Sequence, residues 1–120
     1  MSIQITKIFP KGDEADERIQ FQVLEDCDLG DYILADDSFA NGKPSNLLRN
    51  TFYFPTLAVK KGQWVSLRTM EGKYRAVVTA GKVEGHQLFW GLGKSVWNDA
   101  GDCAHLILAR KSERTHMRAP

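Results

Sequence analysis

The side chains able to do chemistry fall into four groups. Five aspartates, Asp26, Asp28, Asp31, Asp36 and Asp37, crowd into one short stretch. They offer the hard carboxylate oxygens that Ca²⁺ takes, about six to eight at a time, from a shaped loop. The spacing is not that of an EF-hand, so they read as acidic turns on a solvated surface; a metal-dependent site there is the weakest functional alternative. Cys103 and His105 stand two apart and share one face of any strand that holds them. Two ligands fall short of a closed zinc site. A Cys–His nucleophile pair needs a cleft and an oxyanion site, and nothing nearby supplies either. His86, His105 and His116 therefore read as exposed residues. Gly93-Lys94-Ser95 looks like the end of a P-loop, but that motif needs a glycine where Leu88 stands. It also needs a helix where Trp97 to Gly101 reads as a turn, so no nest of amides forms around a phosphate.

The fourth group is basic. Arg49, Lys60, Lys61, Arg68, Lys73, Arg75, Lys82 and Lys94 all come from the middle of the chain. If several converge, with Trp64 or Trp97 nearby, they bind phosphate oxygens weakly and with strong salt dependence. Arg68, Lys73, Arg75, Lys82, Lys94 and Trp64 are the candidate binding residues for such a nucleic-acid site. No catalytic set, metal set or cofactor motif emerges.

The charge arithmetic frames this choice. Sixteen Lys and Arg against fifteen Asp and Glu leave a net charge of +1, a poor start for a protein that lives on phosphate backbones. The total conceals a segregation. Residues 1–40 carry ten acids and three bases, whereas residues 41–98 carry nine bases and two acids. Interleaved strands would cancel the two blocks; separated faces would create a polar binding surface. At 120 residues the chain is one domain with enough core to fold unaided. No apolar run approaches the roughly 20 residues of a membrane-spanning helix, so no membrane partner is expected. The start, Met1 to Lys7, lacks the charged and apolar regions of a secretory signal. An intracellular, by default cytoplasmic, location follows, with Cys27 and Cys103 as free thiols.

The elements that must position these groups are short strands. Apolar residues alternate at Ile3 and Ile5, at Ile19, Phe21 and Val23, at Val65 and Leu67, and at Ala104, Leu106 and Leu108. Tyr32–Ala35, Thr51–Phe54 (stopped by Pro55), Tyr74–Thr79 and Gln87–Trp90 complete eight runs. Turn signals separate them at residues 10–13, 29–31, 41–44, 61–62, 71–72, 80–81, 84–85 and 99–102. Residues 45–50 allow at most one turn of helix. Residues 111–120 are basic and polar, a tail expected to fray after a domain spanning 1–110. Tyr32, Phe52, Phe54 and Trp90 read as core anchors. Trp64 falls out of phase with Val65 and Leu67 and belongs at an edge or a contact surface. The pattern of about eight to nine short strands predicts an all-β sandwich or barrel.

In order along the chain, these blocks resemble the lamin tail domain, an immunoglobulin-like β-sandwich. Residues Cys27 to Asp36 are similar to its block of a leucine, a tight turn, an aromatic and a short strand ending in aspartate. Phe52-Tyr53-Phe54-Pro55, with Leu57 and Lys60-Lys61-Gly62, resembles its aromatic–proline block. Gly62 to Leu67 matches the strand that follows. Trp90-Gly91-Leu92-Gly93-Lys94-Ser95, then Asn98 and Gly101 to Leu106, resembles its Trp-Gly hairpin and last strand. The resemblance spans about residues 3–109. It departs at Leu29-Gly30-Asp31-Tyr32, where the glycine is displaced and a tyrosine takes the place of tryptophan. The lamin rod is absent, so the likeness is to the domain alone. It implies a non-enzymatic interaction module with a protein partner, possible self-association through an exposed sheet edge, and nucleic acid as the alternative ligand.

Overall fold

The computed structural model describes residues 1–9, 17–40, 43–97 and 102–120, of which 38–40 and 44–47 are described in backbone only. Ten strands form among these residues: β1 (Ile3–Phe9), β2 (Arg18–Val23), β3 (Cys27–Asp28), β4 (Tyr32–Ala40), β5 (Lys43–Tyr53), β6 (Ala58–Val59), β7 (Trp64–Arg68), β8 (Arg75–Thr79), β9 (Lys82–Phe89) and β10 (Asp102–Leu108). Short 3₁₀ turns occupy Leu29–Asp31 and Lys111–Glu113. A five-stranded sheet in the order β1-β2-β7-β9-β8 faces a three-stranded sheet β10-β4-β5, and β3 and β6 form a small bridge. The chain is an all-β sandwich. No helix among the described residues is long and apolar enough to cross a membrane.

Alternation builds the core. On β2, Ile19, Phe21 and Val23 are buried while Arg18, Gln20 and Gln22 are only partly so. Register carries that division across the sheet: Ile19 faces Leu67, Phe21 faces Val65, and on the outer face Gln22 faces Trp64. Leu34 and Tyr32 close the core from the second sheet, with Phe52 and Leu106 packed beside them. Aromatic edges bind the layers: Phe21 meets Phe54 at 5.6 Å and Phe54 meets Phe52 at 5.1 Å, both edge-on. Phe52 then meets Trp90 at 5.9 Å. Such pairs add about 0.5–1.5 kcal/mol each beyond area burial.

The structure corrects several expectations. Residues 45–50 are strand, in the long β5, because pairing with β4 overrides their polar, turn-like composition. Glu84 and Gly85 lie inside β9 and are not a turn. Trp97, expected in a turn beside the bases, is 2% exposed and belongs to the core. Asp36 and Asp37 are not solvated loop acids but buried members of β4. His86, expected at the surface, is buried. Two further strands, β3 and β6, are two-residue bridges too short to leave a periodic signal. The turn at Ala80-Gly81 is present, both residues having positive φ (52° and 79°), as a two-residue hairpin with strand-matching twist requires. The turn signals at 10–13, 41–42 and 99–101 lie outside the described residues.

Candidate functional site

The acidic residues are engaged in architecture. Asp28 Oδ1 accepts from the backbone N–H of Gly30 at 2.8 Å and of Leu57 at 3.0 Å, and its other oxygen lies 2.8 Å from the Lys111 ammonium. That lysine, with help from the two amides, holds the Asp28 carboxyl below its ordinary range. Asp26 accepts from the Lys61 amide, which lowers its carboxyl, with Lys60 nearby. Asp31 accepts from the Lys111 N–H at 3.0 Å. Arg49 on β5 reaches Asp102 at 2.8 Å and Asp36 at 3.2 Å, and the Asp102 contact raises its own proton affinity. Asp36 also accepts from the Asn50 amide at 2.7 Å. Among the described residues no group of three or more His, Cys, Asp or Glu is placed to hold a metal ion.

These contacts answer the charge question in part. Bases from the middle of the chain, Arg49 and Lys60, neutralise acids from its first third, Asp36 and Asp26. Lys73, Arg75, Lys82 and Lys94 make no ion pair among the described residues. They do not converge. Arg75 stands on β8 opposite Gln87, and Lys73 precedes it. Lys82 opens β9 at the hairpin tip. Lys94 lies apart from them, lining a shallow cleft of about 250 Å³ with Arg49, Asn50 and Asp102.

Trp64, Arg68 and Arg75 do share a surface. The pairs Trp64–Gly85, Ser66–Gln87 and Arg68–Phe89 between parallel β7 and β9 put them on the outer face of the five-stranded sheet, with Gln20 and Gln22 of β2. The Trp64 ring lies flat on Gly85: a Cβ there would come within 2.1 Å of its ring atoms. Trp64 is out of phase with the core because it roofs a bare stretch of sheet, a device known as aromatic rescue.

The most distinctive surface is the β8–β9 hairpin. β8 is an edge strand, and beyond it the described residues contain no strand pairing with its outward N–H and C=O groups. Its residues are Arg75, Ala76, Val77, Val78 and Thr79, and four of the five are exposed. The register Ala76–His86 and Val78–Val83 turns Ala76, Val78 and Val83 to the core side of the sheet. There Tyr74, Val78 and Val83 remain 45%, 56% and 39% exposed. The hairpin thus overhangs the three-stranded sheet and leaves its apolar side uncovered. A chain of hydrogen bonds ties it to Gln63, just ahead of β7. The Lys60 N–H donates to Gln63 Oε1, and Gln63 Nε2 donates to the Val83 carbonyl. Gln63 Oε1 is therefore an acceptor, so His86 Nε2 carries the proton that meets it at 2.8 Å. His86 Nδ1 then accepts from the Tyr74 hydroxyl at 2.8 Å, and the two rings stack. Burial lowers the proton affinity of His86, in keeping with a neutral ring.

Sequence reasoning missed this hairpin as a surface, because overhang depends on the strand counts of two sheets. It also missed Glu17. That carboxylate is fully buried and accepts from the Thr69 hydroxyl at 2.7 Å and the Val96 N–H at 2.6 Å, with its second oxygen unpartnered. Cys27 and Cys103 are both free thiols, and burial followed by the neighbouring aspartates raises the Cys27 thiol. Lys111 and Arg114, assigned by sequence to the tail, contact the body: Lys111 at Asp28 and Thr56, and Arg114 at the Gly30 and Ala109 carbonyls. No protein-family model matches the chain, and no curated protein matches it.

Proposed function

We propose that the chain is a non-enzymatic protein-interaction module, of the kind its resemblance to the lamin tail domain implies, and that it docks an extended segment through the β8–β9 hairpin. The observation that carries this reading is an unblocked edge strand whose core-side apolar residues are solvent-exposed. Edges of this kind are normally blunted. β1, the opposite edge, has a bulge between Ile5 and Lys7 and a lysine within it. β5 carries register shifts opposite Asp36–Phe39. β8 has one charge, Arg75, and the extra residue of its bulge falls on β9, so its own edge is regular. An added strand gains main-chain hydrogen bonds and covers Val78. The test is titration of the isotope-labelled chain with a peptide of residues 73–81 as the incoming strand. Amide shifts confined to β8 and its neighbour β9, lost in Val78→Lys, are expected; no shifts, or shifts elsewhere, refute it.

A second reading, weak binding of single-stranded nucleic acid, rests on Trp64, Arg68 and Arg75 sharing the outer face with a row of glutamines. Aromatic stacking beside basic groups suits that ligand. Retention of an oligonucleotide at low salt that is lost in Arg75→Glu supports it; no retention at low salt removes it. An intracellular setting, cytoplasmic by default, belongs to the same proposal and is supported by the two unpaired thiols.

A further inference from the structure

We infer that the segment which pairs with β8 is β8 of a second copy of this chain, in antiparallel register about a two-fold axis at Val77. This rests on the docking reading above and names its partner. Centring on Val77 overlaps all five residues of Arg75–Thr79. A two-fold pairing is isologous, so each residue must be compatible with its own mirror position. Here Arg75 meets the partner's Thr79, Ala76 meets the partner's Val78, and Val77 meets itself. Small faces large on the core side, where Val78 is the most exposed of the apolar residues. Like charges directly opposite one another destabilise a pair of strands, and this register has none. The two Arg75 residues end up four steps apart along the strand direction, about 14 Å at the usual strand rise. That exceeds the screening length of roughly 8 Å at physiological salt.

The pairing would join two five-stranded sheets into one continuous sheet. The uncovered strips of Ala76, Val78 and Val83 from the two copies would then lie side by side on the same face.

The register gives a test that other modes of association do not share. Thr79→Glu places a carboxylate opposite Arg75 of the second copy, twice per dimer. Opposite-charge cross-strand pairs then tighten the dimer by about 3–10-fold. Val77→Lys sets two ammonium groups against each other at the axis and abolishes it. Sedimentation equilibrium reads both, with thermal melting showing that each variant is folded. A wild-type dimer tightened by Thr79→Glu and lost in Val77→Lys is the expected result. A dimer indifferent to both substitutions overturns the β8 register. A monomer at about 1 mM, weaker than a −4 kcal/mol association, overturns the second copy as partner. If the peptide of residues 73–81 still binds β8 in that case, the docking reading stands and only pairing between two folded copies is excluded. If the peptide does not bind either, both fall.

Discussion

Removing the Asp28 carboxylate should loosen one end of the sandwich by an amount that the structure sets. Two backbone donors converge on a single oxygen: the buried Gly30 N–H at 2.8 Å and the partly buried Leu57 N–H at 3.0 Å. Alanine leaves both without their acceptor. An unsatisfied buried donor costs about 1–3 kcal/mol, and the more accessible Leu57 amide belongs at the low end. The Lys111 ion pair is partly exposed on both sides and adds no more than about 1 kcal/mol. Asp28→Ala should therefore cost about 2–4 kcal/mol. For a chain of this length that lowers Tm by roughly 8–15 °C. Asp28→Asn keeps the accepting oxygen and loses only the charge, so about 1 kcal/mol is expected. Urea unfolding with a common m-value measures both. The native carboxyl is held below its ordinary value of 3.8, so its contribution is full above that value and is lost as pH falls through the native pKa. The alanine variant should therefore show a shallower acid limb. Equal losses for alanine and asparagine would show that the amides do not depend on this oxygen. A loss below about 0.5 kcal/mol for alanine would refute the staple altogether.

Other expectations are as direct. His86 has its proton affinity lowered by burial; its contribution is therefore present above the ordinary histidine value of 6.5 and falls as pH drops below it. His86→Gln should flatten that part of the stability profile, and an NMR titration of the ring should give a midpoint below 6.5. Gly85→Ala forces the Trp64 ring off the sheet; a red-shifted tryptophan emission and a loss of about 1–3 kcal/mol are expected, and an unchanged spectrum would contradict the packing. Glu17→Ala strands two buried donors, the Thr69 hydroxyl and the Val96 N–H, and should cost about 2–5 kcal/mol by denaturant unfolding. Glu17→Gln, which retains an acceptor, should cost clearly less.

What was legible in the sequence is what local rules determine. Ile19, Phe21 and Val23 declare a half-buried strand by period alone, and Ala80-Gly81 declares its hairpin by conformation. The strand character of residues 45–50 was not legible, because nothing in their composition favours a strand; β4 imposes it by pairing. Gly85 carries an ordinary turn signal, yet it lies within β9 and its bareness serves the Trp64 ring on the adjacent strand. Asp36 and Asp37 look like surface acids until Arg49, the Asn50 amide and His105 close around them. Glu17 depends on Thr69 and Val96, 52 and 79 residues further along, and no spacing rule reaches that far. The candidate site shared this fate. Its residues Tyr74 to Gly81 were readable as strand and turn, but their exposure arises from the other sheet stopping short.

The pairing of β10 with β4 has a consequence for how the molecule comes into being. Tyr32 lies opposite Leu108 and Asp37 opposite Cys103, so the three-stranded sheet joins the first third of the chain to its last strand. Contacts of such sequence separation form slowly, since a large loop must close before they reward it. During synthesis β4 and β5 emerge as a hairpin whose Arg49 still lacks Asp102 and whose Asp37 still lacks the His105 ring. The β4 edge of that hairpin stays unpaired until residue 108 has left the ribosome. The first half of this sandwich therefore spends its early life as an incomplete layer, and the window for misassembly closes only with the last strand.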